Sequence, residues 1–130
     1  CDTAPVLNTV GDDLYNLFES CCLGSFSDEV GGIVYNDLYS SSLVLTCKNK
    51  VNKENIISGL DNLDEDTQIT FYPSVSKNRY LEYEASEGAV LVVCTKAATS
   101  ANSVLKMYEE ADFIDFDSKY FRKDICKLSI

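Results

Sequence analysis

The sequence lacks histidine and tryptophan altogether, and its 130 residues include only two prolines and one methionine. Without histidine there is no base for the usual nucleophilic triads, and the commonest general acid–base group is missing. The dinucleotide-binding G-x-G-x-x-G, the Walker motif and the G-x-S-x-G nucleophile motif are also absent. We therefore expect no catalytic residue, no metal site and no cofactor, and a protein that is not an enzyme.

Basic residues are missing from the first third of the chain, where no Lys or Arg precedes Lys48. The whole chain has 21 acidic against 11 basic residues and a net charge of -10. This charge repels phosphates and anionic lipids, so we expect no nucleic acid partner, and no apolar run is long enough for a membrane span. It either favours a cationic ligand or a basic protein partner, or simply keeps the protein in solution.

Six cysteines are spread along the chain without a C-x-x-C pair: Cys1, Cys21, Cys22, Cys47, Cys94 and Cys126. An even number at such spacing predicts three disulfides formed in an oxidising compartment, whereas the alternative is six free thiols in a cytosolic protein. A first residue that is cysteine rather than methionine suggests that a signal peptide has been removed. We expect a single secreted, extracellular domain over residues 1–130, stapled by disulfides.

Short β-strand patterns dominate the middle of the chain. Ala89 to Cys94 is apolar at every position and is expected to form the central, doubly covered strand. The alternating residues from Arg79 onward predict a strand that joins it as a hairpin through a turn at Gly88. A looser hairpin is expected from Ile33–Tyr35 and Leu43–Cys47, and another strand from Thr67 to Tyr72. Together these strands predict a mainly β or α+β fold with an antiparallel meander.

Helical patterns occur on both sides of this β region in the sequence. After Cys94, apolar residues from Ala97 to Ala111 fall on one helical face, so we expect an amphipathic helix packed on the sheet and capped by Thr99 or Ser100. Residues 3–22 also fit a helix for at least part of their length, with a break at Gly11 and a new N-cap at Asp12 or Asp13. The competing interpretation makes Leu14–Ser20 the first strand of a barrel.

One family resemblance rests on the last third of the chain. An apolar strand ending at Cys94 is followed by the helix over Leu105–Ala111 and by an aromatic tail, DFDSKYF at Asp115–Phe121, that ends in Cys126. This order resembles secreted lipocalins, most closely their arthropod branch, and Gly11 through Tyr15 is similar to the start of the family's first strand. The resemblance implies a closed β-barrel. The alternative is an α+β domain with a five- or six-stranded antiparallel sheet between two helices.

The function expected from these features is a secreted carrier or scavenger of a small apolar or amine-bearing ligand. In a meander, large side chains at alternating positions share one face, which predicts a ligand pocket lined by Tyr35, Leu45, Phe71 and Tyr83. The same residues would equally fill a packed core. The second hypothesis is an extracellular protein-binding module or inhibitor whose acidic surface meets a basic partner.

Overall fold

A ten-residue strand, β5 (Gly88–Ala97), lies at the centre of the structure. The computed structural model describes residues 3–25 and 33–126. The elements in chain order are α1 (Thr3–Asn8), α2 (Leu14–Leu23), β1 (Tyr39–Cys47), a 3₁₀ turn (Leu60–Asn62), β2 (Gln68–Phe71), β3 (Ser76–Lys77), β4 (Tyr83–Glu84), β5 (Gly88–Ala97), α3 (Ser100–Phe113) and β6 (Lys119–Tyr120). The expected mixture of helices with an antiparallel sheet is confirmed.

Strand β5 is the buried core strand that the sequence predicts. Six consecutive residues, from Val90 to Thr95, are buried. Strand β1 pairs with one edge of β5 and β2 with the other, both antiparallel, and Val93 lies opposite Leu43 on one side and Ile69 on the other. Strands on both edges and helices on both faces explain why every position in this run is apolar or a satisfied polar group.

The predicted hairpin between residues 79–85 and β5 is wrong. Instead β4 pairs with β3, with Lys77 opposite Tyr83. The reason is a tight turn at Asn78, whose side-chain Oδ1 accepts hydrogen bonds from the backbone N–H groups of Tyr80 (2.9 Å) and Glu82 (3.1 Å). Leu81 has a φ of 66°, which a strand cannot accommodate. An asparagine turn therefore overrides the alternating pattern of this segment.

The strand order also differs from a meander. Within the described residues the main sheet runs β2-β5-β1-β6, so β5 separates β1 from β2, the next strand in the chain. No pairing in that part of the chain joins β6 to β2, and the sheet is open there rather than closed as a barrel. Ile33–Tyr35 does not form a hairpin with β1 either, because Tyr35 bridges to Val10.

Helix α3 covers one face of β1 and β5, as predicted. It starts at the N-cap Thr99, whose hydroxyl accepts a hydrogen bond from the Asn102 N–H. Ser103 on the buried face donates to the Ser41 hydroxyl at 2.7 Å, and the Thr95 hydroxyl donates to the Ser103 carbonyl at 2.9 Å. These bonds satisfy hydroxyls that would otherwise be costly to bury. The core cluster beneath the helix comprises Leu43, Leu45, Cys47, Ile57, Ala85, Val90, Leu91, Val93, Met107, Ala111, Ile114 and Phe116.

The N-terminal segment is helical, which rules out the strand at Leu14–Ser20. The break falls at Gly11, whose N–H donates to the Val34 carbonyl at 2.7 Å, and the new helix α2 is capped by Asp13. Helix α1 packs on the sheet through Asn8, which bonds Ser40. Because neighbouring strand residues point to opposite faces, Ser40 and Ser41 place α1 and α3 on opposite sides of β1.

The disulfide prediction is wrong for every cysteine that the structure describes. Cys21, Cys22, Cys47, Cys94 and Cys126 are free thiols, while Cys1 lies outside the described residues. For the two strand cysteines the sheet register gives the reason: Cys94 lies opposite Ser42, five residues from Cys47 along β1. At about 3.3 Å per residue these cysteines are roughly 16 Å apart, far beyond the Cα separation of a disulfide. The compartment of the protein stays a prediction.

No helix among the described residues is long and apolar enough to cross a membrane.

Candidate functional site

A cavity of about 550 Å³ lies along the outer edge of β1. Every residue from Ser40 to Val44 lines it. Since consecutive strand residues point to opposite faces, a cavity that touches all five follows the edge of the strand rather than one face. The rest of the lining is Pro5, Thr46, Tyr120, Phe121, Arg122, Ile125 and Cys126.

The edge of β1 is open because its outer neighbour is short. Strand β6 pairs only with Thr46 and Cys47, so in the described structure the outer edge from Tyr39 to Leu45 has no strand beside it. Residues 121–126 then pass this edge without joining the sheet. Tyr108 of α3 holds this segment in place: its hydroxyl donates to the Arg122 carbonyl and accepts from the Ile125 N–H.

The lining of the cavity carries little net charge. Among the described residues of the lining the one charged side chain is Arg122, which donates two hydrogen bonds to the carboxylate of Asp124, at 2.9 and 2.7 Å. This pairing raises the pKa of Arg122 above its ordinary value. The remaining groups are hydroxyls and apolar side chains, which suit an uncharged molecule or an uncharged part of one. The arrangement can bind and orient such a group.

The α1 side of the same strand carries a small polar cluster. The side-chain amide of the buried Asn8 donates to the Ser40 hydroxyl at 3.1 Å and to the Cys94 thiol at 3.5 Å, and Ser40 donates to the Thr95 carbonyl at 3.0 Å. These bonds join α1 to both central strands. Oδ1 of Asn8 is buried and has no hydrogen-bond partner among the described residues.

A second polar site is built around Asn55 at the far end of β1. The Asn55 amide donates to the Asp117 carbonyl (3.2 Å) and accepts from the Asp117 N–H (2.8 Å), and it also contacts the buried thiol of Cys47. Lys53 forms an ion pair with the Asp117 carboxylate at 2.7 Å. A cavity of about 400 Å³ lies beside this site, lined by Lys50, Val51, Lys53, Asn55, Glu84, Ala85, Ser86 and Glu87.

Three of the four residues predicted to line a ligand pocket lie in or against the packed core, and the fourth is exposed. Leu45 is fully buried in the core, and Phe71 and Tyr83 stack on each other with ring centroids 4.2 Å apart against that core. Tyr35 is 56% exposed and forms a β-bridge with Val10. Ligand binding by these residues stays a prediction, as do the small-molecule and basic-protein partners.

The strand predicted from the sequence begins only at Leu43, so the β1 edge along Ser40–Ser42 was missed. The three serines are strand residues, and the signal that could have identified them is alternation: Ser41, Leu43, Leu45 and Cys47 are buried in turn. No group of three or more His, Cys, Asp or Glu side chains placed to hold a metal ion occurs within residues 3–25 and 33–126.

Comparisons with known proteins point away from the expected family. No family model matches the chain. It is 28% identical over 127 residues to the phosphoribosylamine–glycine ligase of Halalkalibacterium halodurans, a match that covers 95% of this chain and 28% of that protein. The crystal structure of the Thermotoga maritima phosphoribosylamine–glycine ligase superposes with a TM-score of 0.59 at 22% identity, over 82% of this chain and 27% of that one.

These matches correct three expectations. The lipocalin resemblance is wrong, since the similar proteins are ligases. The secreted carrier and the extracellular binding module are overturned with it, and the similarity to a ligase also contradicts the expectation that the protein is not an enzyme. The chain spans little more than a quarter of the length of the curated relative that it matches. It shares its fold with part of a phosphoribosylamine–glycine ligase.

Proposed function

We propose that this chain is one part of a ligase that joins phosphoribosylamine and glycine, or of an enzyme derived from one. The observation that carries the proposal is the similarity to the Halalkalibacterium halodurans ligase along 95% of the chain. The solved Thermotoga maritima ligase supports it, because 82% of this chain superposes on part of that enzyme with a TM-score of 0.59.

The cavity along β1 suggests what such a part would contribute to the ligase. The cavity along β1 has serine and threonine hydroxyls and apolar walls, groups that hold and orient a bound molecule. Arg122, the charged side chain of the described lining, is already paired with Asp124. We infer a role in covering or positioning a substrate, with the rest of the ligase providing the reacting groups. Such positioning lowers the barrier of a bimolecular reaction without any chemical step in this part.

A chimera tests the proposal. The matched segment of the Halalkalibacterium halodurans ligase is replaced by residues 1–130 of this chain, and formation of product from phosphoribosylamine and glycine is measured. We expect the chimera to retain measurable ligase activity, whereas the same ligase with the segment deleted or replaced by an unrelated domain of similar size has none. Circular dichroism and gel filtration establish that each protein is folded. A folded chimera that is as inactive as the deletion would overturn the proposed function.

A further inference from the structure

Helix α2 is well formed but buries little of its surface. Of its ten residues only Leu17 and Ser20 are buried, while Tyr15, Phe18 and Leu23 are 70%, 52% and 73% exposed. A helix of this length is marginal in water and normally depends on the packing of an apolar face. In the described structure α2 depends instead on its two ends.

Both ends of α2 are capped. Oδ1 of Asp13 accepts hydrogen bonds from the backbone N–H groups of Tyr15 (2.9 Å) and Asn16 (3.3 Å). At the other end Gly24 has a left-handed φ of 73°, and the N–H groups of Gly24 and Ser25 donate to carbonyls of the last turn. These caps hold the helix in shape without covering its apolar side chains.

The exposed apolar side chains of α2 lie on one face. Tyr15, Phe18 and Cys22 occupy positions i, i+3 and i+7, which follow one stripe of a helix. We call these three residues, with Leu23, the α2 face. This spacing is that of the anchors with which a helix docks into an apolar groove of a partner. A hydrogen bond between Gly11 and Val34 holds a further exposed valine beside the start of the helix.

The charged side chains of the described residues before β1 all have one sign. Asp12, Asp13, Glu19 and Asp37 are the ionisable acidic side chains of the described residues before β1, and no Lys or Arg occurs before Lys48. Glu19 lies on the α2 face one turn after Tyr15, and the Tyr15 hydroxyl donates a hydrogen bond to its carboxylate at 3.2 Å. Protein interfaces commonly combine apolar side chains with charged and polar ones. The complementary surface has an apolar groove bordered by lysines and arginines.

We propose that the α2 face docks this chain onto the remaining part of the ligase, in an apolar groove with a basic rim. This inference rests on the proposed function, because most of the Halalkalibacterium halodurans ligase has no counterpart in this chain. Docking buries Tyr15, Phe18 and Leu23 and adds tertiary contact to the face of α2 that is exposed in the described structure.

Hydrogen exchange measured on the free chain and on the chimera tests the inference. We expect the amides of α2 to exchange at least tenfold more slowly in the chimera, while those of β5 keep similar protection in both proteins. Phe18→Ser together with Tyr15→Ser should remove the added protection. Leu105→Ser is the matched control, since Leu105 is also exposed (59%) but lies on α3. None of these changes should alter the urea midpoint of the free chain, because each affects an exposed side chain.

The outcomes separate the two proposals. An active chimera in which α2 exchanges as fast as in the free chain would overturn the docking inference and leave the proposed function intact. An inactive, folded chimera counts against the proposed function, whatever its exchange pattern. If the free chain already sediments as a dimer with α2 protected, the α2 face is a contact between two copies, and the docking inference is wrong.

Discussion

The cysteine side chains differ sharply in exposure. Cys47 and Cys94 are buried in β1 and β5, with 2% and 3% of their surface accessible, whereas Cys21, Cys22 and Cys126 are exposed. Brief treatment of the native protein with iodoacetamide, without reductant, should label the three exposed thiols and spare the two buried ones, because alkylation requires access to the sulfur. Peptide mass mapping measures the labelling. Protein labelled in denaturant is the control, and absence of native labelling at all three exposed sites would show that they are oxidised.

Asp64 should titrate below its ordinary range. Its carboxylate lies 2.9 Å from the ammonium group of Lys106, and the hydrogen bond from Lys106 is the main cause that lowers the pKa of Asp64 from 3.8. A carboxyl group whose pKa is lower in the folded state stabilises the fold above its unfolded pKa, and this contribution is lost as the pH falls through the folded value. Lys106→Met should therefore raise the pKa of Asp64 towards 3.8.

NMR titration of the Asp64 carboxyl carbon measures this pKa directly. In urea melts the stability difference between wild type and Lys106→Met should be present at neutral pH and should shrink as the pH falls below 3.8. Lys123→Met removes an exposed lysine elsewhere and serves as the control. A pKa of Asp64 that is the same in wild type and in Lys106→Met would contradict the assignment.

At the level of elements, the sequence predicted correctly those features that depend on residues close together in the chain. The apolar run at Val90–Val93 correctly predicted the buried strand β5. Gly11 and Asp13 correctly predicted the break in the N-terminal segment and the N-cap of α2. Strand pairing was not predictable in the same way, because the partners of β5 lie far away in the sequence and an asparagine turn at Asn78 diverts β4 to β3. The cavity along β1 could not be predicted from the sequence either, because it exists only where the short strand β6 leaves the edge of β1 unpaired.

The 3₁₀ turn and the end of α3 meet at Gly59, which allows a prediction for these elements. Gly59 has a φ of 83°, and a Cβ there would lie 1.8 Å from the carbonyl oxygen of Phe113. Gly24 has a similar φ of 73° but open space around it. Gly24→Ala should cost about 1–2 kcal/mol from backbone strain alone. Gly59→Ala should cost clearly more, because the backbone at the end of α3 must also move.

Urea melts of the two glycine variants decide this point. If both variants lose the same unfolding free energy, the backbone at the end of α3 moves away from the new Cβ at position 59 without a further loss of stability, and the prediction is wrong. If Gly59→Ala loses its stability through displacement of α3, hydrogen exchange should also speed up in the last turn of that helix, whereas Gly24→Ala should leave it unchanged.

For the whole molecule, the net charge of -10 is the dominant electrostatic feature. The ion pairs Lys53–Asp117, Lys106–Asp64 and Arg122–Asp124 engage three of the ten basic residues within residues 3–25 and 33–126, and most of the acidic side chains there have no such partner. Surface ion pairs of this kind contribute little individually. Repulsion among like charges opposes the compact state, and it acts most strongly at low ionic strength.

The stability of the free chain should therefore rise with salt at low ionic strength. Raising NaCl from 0.01 to 0.15 M shortens the screening length from about 30 Å to about 8 Å, so repulsion between acidic side chains weakens while short ion pairs are affected less. The urea midpoint should increase over this range; urea is the suitable denaturant because it carries no charge. A variant with Asp37→Asn, Glu87→Gln and Glu109→Gln, three exposed positions, should gain stability at 0.01 M and respond less to salt. A midpoint that falls with salt in the wild type would mean that its ion pairs outweigh the repulsion.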